Sequence, residues 1–372
     1  MGATSDRSVW IKSILGAVII TVLALPLSLA VWLATADWVD PAKSLPRPGD
    51  NPVLLNLEPP PQVDGRLRNY YWLDDLRVGP VRFIIDRPRG SDTLEPLPVI
   101  ILLGGAPLGQ EALAYMPPVG RNAIVSLDWP MPVPDDLERD LNLLFQEPAL
   151  RPSTFGDSDE AEAMRQLWRQ QVDALLNIAG LRSDILRAPG QVAAVHQWLR
   201  QQNWVDPTRI SLIGVSLGAV IAPAAQHMIE AITPQTDGNP PISASLLAFG
   251  GTNIERMITE NPSLKATDWV TGWPTALPLL GWAGGKALHP LEPSHYLPQL
   301  SGQFMVVNAS RDGVIPQASV NEFTALVPEP KDTATIAGGH IGPDPETPRI
   351  LRTLTGIATG WLMGLEAVNA PG

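Results

Sequence analysis

The chain has no cysteine in 372 residues. Thiol nucleophiles, disulfides and thiolate metal sites are therefore excluded. Histidine is scarce as well, at five residues. No H-E-x-x-H or other clustered ligand set occurs, so the sequence points to no metal. A dinucleotide fingerprint is also missing: Gly104-Gly105-Ala106-Pro107-Leu108-Gly109 lacks the G-x-G-x-x-G spacing. Positive charge is in deficit, with 26 Lys and Arg against 38 Asp and Glu and a net charge of −12. That balance argues against nucleic acid, or an anionic membrane surface, as a partner of the folded domain. What remains is chemistry run by hydroxyls, carboxylates and a few imidazoles, with no cofactor.

Hydrophobic residues make up 45% and charged residues 17%, enough to bury a sizeable core without staples. Proline is abundant at 39 residues, about double the ~5% of average usage. Several prolines cluster between Pro41 and Pro61, which reads as an extended linker. Before it, Ser13 to Ala36 carries no charge and is rich in Ile, Leu, Val and Ala. About 20 such residues suffice to cross a bilayer as a helix. Arg7 and Lys12 precede the run, which predicts a cytoplasmic N-terminus and an extracytoplasmic remainder. Two readings compete: a retained anchor, favoured by the length of the run, and a cleaved signal ending at Ala34-Thr35-Ala36 with release after Ala36. The expected organisation is a cytoplasmic N-terminus over 1–12, a transmembrane or signal segment over 13–36, a linker over 37–66 and a catalytic domain over 67–372.

In that domain, short apolar runs alternate with longer helical patterns, which predicts an α/β fold with a mostly parallel central sheet flanked by helices. Strands are expected at Val81–Ile85, Pro98–Leu103, Ala123–Leu127, Ile210–Gly214, Ser245–Phe249, Phe304–Asn308 and Thr333–Ile336. Helices are expected over Glu160–Ile178, Ser183–Gln201 and Arg349–Met363, with Pro189-Gly190 breaking or kinking the second. Residues 252–300 depart from this rhythm. They carry Trp269, Trp273 and Trp282 among prolines and glycines. An insertion there would overhang the carboxyl ends of the strands, so it reads as a cap whose tryptophans line an apolar acyl pocket. The competing reading is a surface excursion that touches no substrate.

The sharpest local signal is Gly214-Val215-Ser216-Leu217-Gly218, with an apolar run before it and the small-residue stretch Ala219-Val220-Ile221-Ala222 after it. G-x-S-x-G between a strand and a helix is the pattern of a nucleophile elbow, which holds a serine hydroxyl exposed on a strained turn. Pro223 falls early in the following helix and predicts that it is short or bent. A serine hydroxyl needs a base, and the base needs an orienting carboxylate. His340 follows the last strand after Gly338-Gly339 and is the expected base. Asp312 follows the strand Phe304–Asn308 and is the expected acid, with Asp128, at another strand end, in reserve. His196 and His227 lie in helical patterns and read as packing or surface residues. After a nucleophile elbow the acid comes next in the chain and the histidine last, and His289 and His295 precede the acid. An oxyanion needs two fixed N–H donors. The expected donors are Leu217, at the helix N-terminus, and Ala106 or else Gly105 in the loop after the strand Pro98–Leu103.

These residues, and Val205-Asp206-Pro207-Thr208-Arg209-Ile210 leading into the elbow, resemble the α/β-hydrolase superfamily from about Tyr70 to the C-terminus, the insertion excepted. The lead-in is similar to that of the branch holding dienelactone hydrolases, acetyl xylan esterases and prolyl-oligopeptidase-type domains. The resemblance implies that Ser216, Asp312 and His340 act as nucleophile, acid and base. Gly104 stands where many relatives have histidine. The expected function is a membrane-tethered, extracytoplasmic serine hydrolase that cleaves a small-molecule carboxylic ester through an acyl-enzyme. Acyl transfer, peptide hydrolysis and a non-catalytic binding role remain as alternatives.

Overall fold

The computed structural model describes residues 35, 39–49, 52–56, 65–90, 95–105, 113, 120–128, 178–235, 238–262, 276–342 and 346–370. Among the described residues, nine strands form one sheet: β1 (Val53–Asn56), β2 (Arg66–Asp74), β3 (Val81–Pro88), β4 (Leu97–Leu103), β5 (Ala123–Leu127), β6 (Val205–Val215), β7 (Ala244–Ala248), β8 (Gln303–Ala309) and β9 (Lys331–Ile336). Their order is β1-β2-β3-β5-β4-β6-β7-β8-β9. From β5 through β4 to β9 every pairing is parallel, while β1, β2 and β3 join antiparallel. The inner parallel strands are apolar and buried on both faces, with β4, β5 and β7 buried at every position, whereas the edge strand β9 is polar and partly exposed. That is the reason the inner strands read as continuous apolar runs.

Besides a short turn of helix at Pro41–Ser44 and 3₁₀ turns after residue 288, the helices among the described residues are α1 (Ile178–Leu199), α2 (Leu217–Ile232), α3 (Ile254–Thr259), α4 (Ala276–Ala287), α5 (Gln317–Leu326) and α6 (Thr347–Gly364). Leu97, Val99, Ile101 and Val306 pack on one face with Val192, Ala222, Met228 and Phe323 of α1, α2 and α5. Ile100, Leu102, Met305 and Val307 pack on the other with Ile350, Leu354, Ala358 and Leu362 of α6. The chain passes from β4 to β5 on one side, then returns to place β6 on the other. Ligands of open α/β sheets bind at such a reversal, outside the carboxyl ends of the strands. Here those are the ends of β4 and β6.

The seven expected strands are present with small changes of limits, and the structure adds β1 and β2 before them. β1 falls inside the expected linker and β2 begins at its end, so the linker expectation over 37–66 needs correction. Leu45 is buried in the main core. The Gly49 N–H donates to Asp75 Oδ2 at 2.7 Å, and β1 pairs with β2. Much of this segment is part of the domain. Nor does Pro189 break its helix, since α1 runs unbroken through it. Buried neighbours on both sides, Ala188 and Val192 among them, hold the helix together against the roughly 3 kcal/mol that an internal proline costs. The same holds for Pro223, buried inside a 16-residue α2.

The expected helix Glu160–Ile178 lies outside the described residues except at Ile178, which begins α1. The expected membrane or signal segment 13–36 lies outside them except at Thr35. Among the described residues, no helix is long and apolar enough to cross a membrane.

His196 on α1 is fully buried. Its Nε2–H donates to the Pro241 carbonyl at 3.2 Å, and Nδ1 has no hydrogen-bond partner among the described residues. Burial, opposed by the Pro241 bond and helped by nearby Arg200, pushes its pKa down to about 4. The unfolded chain therefore takes up a proton near pH 6.5 that the folded chain refuses until about pH 4. Stability is full above pH 6.5 and falls as pH drops through that window. At ~1.4 kcal/mol per unit, roughly 3 kcal/mol is lost. Melting curves between pH 7 and pH 4 should show this loss, and His196→Gln should flatten the slope.

Candidate active site

β6 ends at Val215 and α2 begins at Leu217, so one residue makes the turn. That residue, Ser216, has φ 54° and ψ −115°, a conformation that non-glycine residues avoid. It is held from both sides. The Ser216 N–H donates to the Ala248 carbonyl on β7 at 2.8 Å, while the Ser216 carbonyl accepts from Ala219 N–H at 2.9 Å in the first turn of α2. The flanking glycines are required by space. A methyl group on Gly218 would lie 2.2 Å from the Leu103 carbonyl oxygen of β4, and one on Gly214 would lie 2.6 Å from the Gly218 carbonyl oxygen. Helix and strand touch backbone to backbone there.

Ser216 Oγ lies 2.7 Å from His340 Nε2, and His340 Nδ1 lies 2.8 Å from Asp312 Oδ2. The second contact fixes the tautomer, because an ionised carboxylate can only accept: Nδ1–H donates to Asp312, which leaves Nε2 to accept the Ser216 hydroxyl. The other carboxylate oxygen of Asp312 accepts from Val314 N–H at 2.8 Å and Ile315 N–H at 2.7 Å. Burial pushes the Asp312 carboxyl up, but the hydrogen bond and charge of His340 and the two backbone donors outweigh it and hold the group below the usual carboxylate range. The His340 and Asp312 side chains are 7% and 3% exposed, so their interaction is little screened by water.

Three of the candidate residues thus converge from the ends of β6, β8 and β9. Asp128, the reserve acid, does not join them. It pairs with Arg82 across the β3–β5 ladder. Leu217 occupies the first position of α2, where an N–H has no intrahelical acceptor and the helix dipole favours negative charge. Gly105 follows β4 and lies against the nucleophile, since a Cβ built on it would be 3.1 Å from Ser216 Cβ and 3.5 Å from Ile341 Cδ1. Any side chain there would crowd the hydroxyl. Ala106, the other expected donor, lies outside the described residues.

The cap expectation for 252–300 needs revision in its last stretch. Leu291, Tyr296, Leu297 and Leu300 belong to the main core, and the Tyr296 ring packs 5.3 Å from His227 of α2. Residues 288–300 are therefore core, not lid. His289 and His295 face each other there at 3.3 Å. Trp282 lies half-buried on α4, a helix packed on α3 through Gly281, Gly284 and Gly285. Trp269 and Trp273 lie outside the described residues. The tryptophan wall of the acyl pocket is thus not assembled among the described residues.

The lead-in Val205–Ile210 sits at the opposite end of β6 and has a structural task. Asp206 accepts from Thr208 N–H and Oγ1 and from Arg209 Nε. Arg209 Nη1 donates in turn to Asn369 Oδ1 at 3.0 Å. Asn369 is also clasped by Asn122 through a pair of amide hydrogen bonds, so the motif fastens the C-terminal segment under the sheet. Sequence reasoning missed two features of this kind. One is the fully buried Asp86 held between Arg66 and Arg68; the other is Phe249, whose ring stands against His340. Neither has a local sequence pattern, because each is defined by partners on other strands.

No family model matches the sequence, and no curated protein is similar to it at a significant level. Solved structures do match. Acetyl xylan esterase 1 from Thermoanaerobacterium sp. superposes with a TM-score of 0.52 at 12% identity, over 91% of this chain and 93% of that one. An acetyl xylan esterase from Paenibacillus sp. R4 gives 0.50 at 15% identity, over 88% and 93%. At such identities the likeness is one of fold.

Proposed function

We propose that this chain, which has the α/β-hydrolase fold, is a serine hydrolase that cleaves carboxylic esters of small molecules. The observation that carries the reading is the unbroken relay from Ser216 Oγ through His340 to Asp312, at 2.7 and 2.8 Å. In this mechanism Ser216 Oγ attacks the ester carbonyl carbon while its proton passes to His340 Nε2. Asp312 stabilises the imidazolium that forms. The negative charge on the carbonyl oxygen is met by Leu217 N–H and by a second donor from Gly105 or Ala106. His340 then gives its proton to the leaving alcohol oxygen, and the acyl group stays on Ser216. Water, deprotonated by the same imidazole, attacks the acyl-enzyme and restores the hydroxyl. Each proton taken is returned, so the residues alone complete the cycle.

The fold and its esterase neighbours support a hydrolase. Preference for an ester over an amide is part of the proposal. A fluorophosphonate probe tests the reading directly. Covalent labelling of the Ser216 peptide, with hydrolysis of short-chain p-nitrophenyl esters, is expected; an unlabelled folded protein would overturn it.

The proposal includes tethering to a membrane with the catalytic domain on the extracytoplasmic side. Its support is the uncharged apolar run Ser13–Ala36 behind Arg7 and Lys12. The full chain should sediment with membranes and resist alkaline carbonate, and a chain starting at residue 37 should stay in the supernatant. A free full-length chain, or an N-terminus at Asp37 in the mature protein, sinks the anchor.

A further inference from the structure

β7 ends in an irregularity that the relay itself does not explain. Leu246 and Ala248 face the α6 side of the sheet, and Leu247 faces the α2 side. Continued alternation would send the next side chain to the α2 side. That space is full: a Cβ on the following residue, Gly250, would lie 2.9 Å from Phe323 and 3.0 Å from Ala219. Phe249 instead adopts φ 55°, a left-handed conformation that is an outlier for a bulky residue. Its ring therefore stays on the α6 side with Ala248. The conformation is pinned, because Phe249 N–H donates to the Val307 carbonyl at 2.8 Å and the preceding Ala248 carbonyl accepts from Ser216 N–H. The ring that results is 1% exposed. It stands 5.8 Å from the His340 ring at an interplanar angle of 65°, the T-shaped arrangement that aromatic pairs favour.

The contact matters most when the relay is half made. In the free protein, two hydrogen bonds aim the imidazole. In the acyl-enzyme Ser216 Oγ is esterified and has no proton to donate, so Nε2 loses its partner and the Asp312 bond alone leaves the ring free to tilt. We propose that Phe249 is a positioning residue: its ring is the wall that keeps the His340 imidazole aimed at the incoming water during deacylation. This rests on the serine hydrolase reading, and the strained backbone of Phe249 is what places the wall.

Burst kinetics with p-nitrophenyl acetate test it. Phe249→Leu keeps an apolar side chain and removes the ring. Its steady-state kcat should fall by about 10- to 100-fold, the scale of a small misplacement of a catalytic group. A burst of p-nitrophenol should precede that slow phase, and KM should fall in parallel, leaving kcat/KM nearly as in the parent. Phe249→Tyr, which retains the ring, should recover most of the kcat. A structural defect would instead lower the active fraction, scaling the burst and the steady state down together with KM unchanged. Should Phe249→Leu fail to fold, Phe249→Met and Phe249→Tyr carry the same comparison. An active parent with an unchanged Leu variant, or a loss confined to kcat/KM, overturns the positioning role alone. A parent that neither turns over the ester nor takes the fluorophosphonate label overturns the hydrolase reading and this inference with it.

Discussion

Replacing Ser216 by alanine should abolish fluorophosphonate labelling and lower kcat by a factor on the order of 10⁴ to 10⁶, the range seen when a serine nucleophile is removed. The hydroxyl is the one group in the relay that forms a bond to substrate, so no neighbour can replace it. The backbone around it gives this prediction a second, independent part. Ser216 sits at φ 54° and ψ −115°, held by Ala248 of β7 and by the first turn of α2. Alanine inherits that strain because it retains Cβ, whereas glycine is free of it. Strain of this kind is worth about 1–3 kcal/mol, part of which glycine gives back through the greater freedom of its unfolded chain. Ser216→Gly is therefore expected to be as inactive as Ser216→Ala and to melt higher, by about 1 kcal/mol in stability. Thermal melts of the two variants side by side check this. An alanine variant that still takes the label would move the nucleophile to another serine.

The second large effect is expected from Asp312→Asn, with kcat down by about 10⁴-fold and little change in stability. Here the geometry of the acid loop decides the outcome. One oxygen of Asp312 accepts from both Val314 N–H and Ile315 N–H, and the other accepts from His340 Nδ1–H. An asparagine must keep its oxygen on the two backbone donors, since turning the amide would set two N–H groups against its own NH₂. The NH₂ then faces Nδ1 and forces that nitrogen to accept. The proton moves to Nε2, which can no longer take one from Ser216. The imidazole remains in place as the wrong tautomer. Measuring kcat at rising pH with hydroxide or a small amine as external base separates this from misfolding. A variant within tenfold of the parent would show that Asp312 does not set the tautomer.

The sequence by itself determined the features that follow from local chemistry. Gly214 and Gly218 flank a serine between an apolar run and a helix former, and no side chain fits where their Cβ atoms would go. The inner parallel strands are legible because burial on both faces leaves runs of Ile, Leu and Val. Gly338-Gly339 ends the last strand just before His340 and singles out the base, while Gly104-Gly105 marks the oxyanion loop. Tertiary structure decided everything that depends on partners distant in sequence. Asp128 stays in reserve along the chain because it too stands at a strand end, until Arg82 is found beside it and His340 beside Asp312. Pro189 announces a break and Pro223 a short helix, and packing prevents both, because buried neighbours hold each helix. A proline-rich stretch reads as linker until Leu45 enters the core and β1 pairs with β2. The last part of the expected cap, residues 288–300, turns out to be core because Tyr296 packs against α2. Phe249 is the clearest case: its ring faces His340 only because the opposite side is already filled by Phe323 and Ala219. Local patterns record what a segment needs, whereas which needs are met, and by whom, is settled only when segments a hundred residues apart compete for the same space.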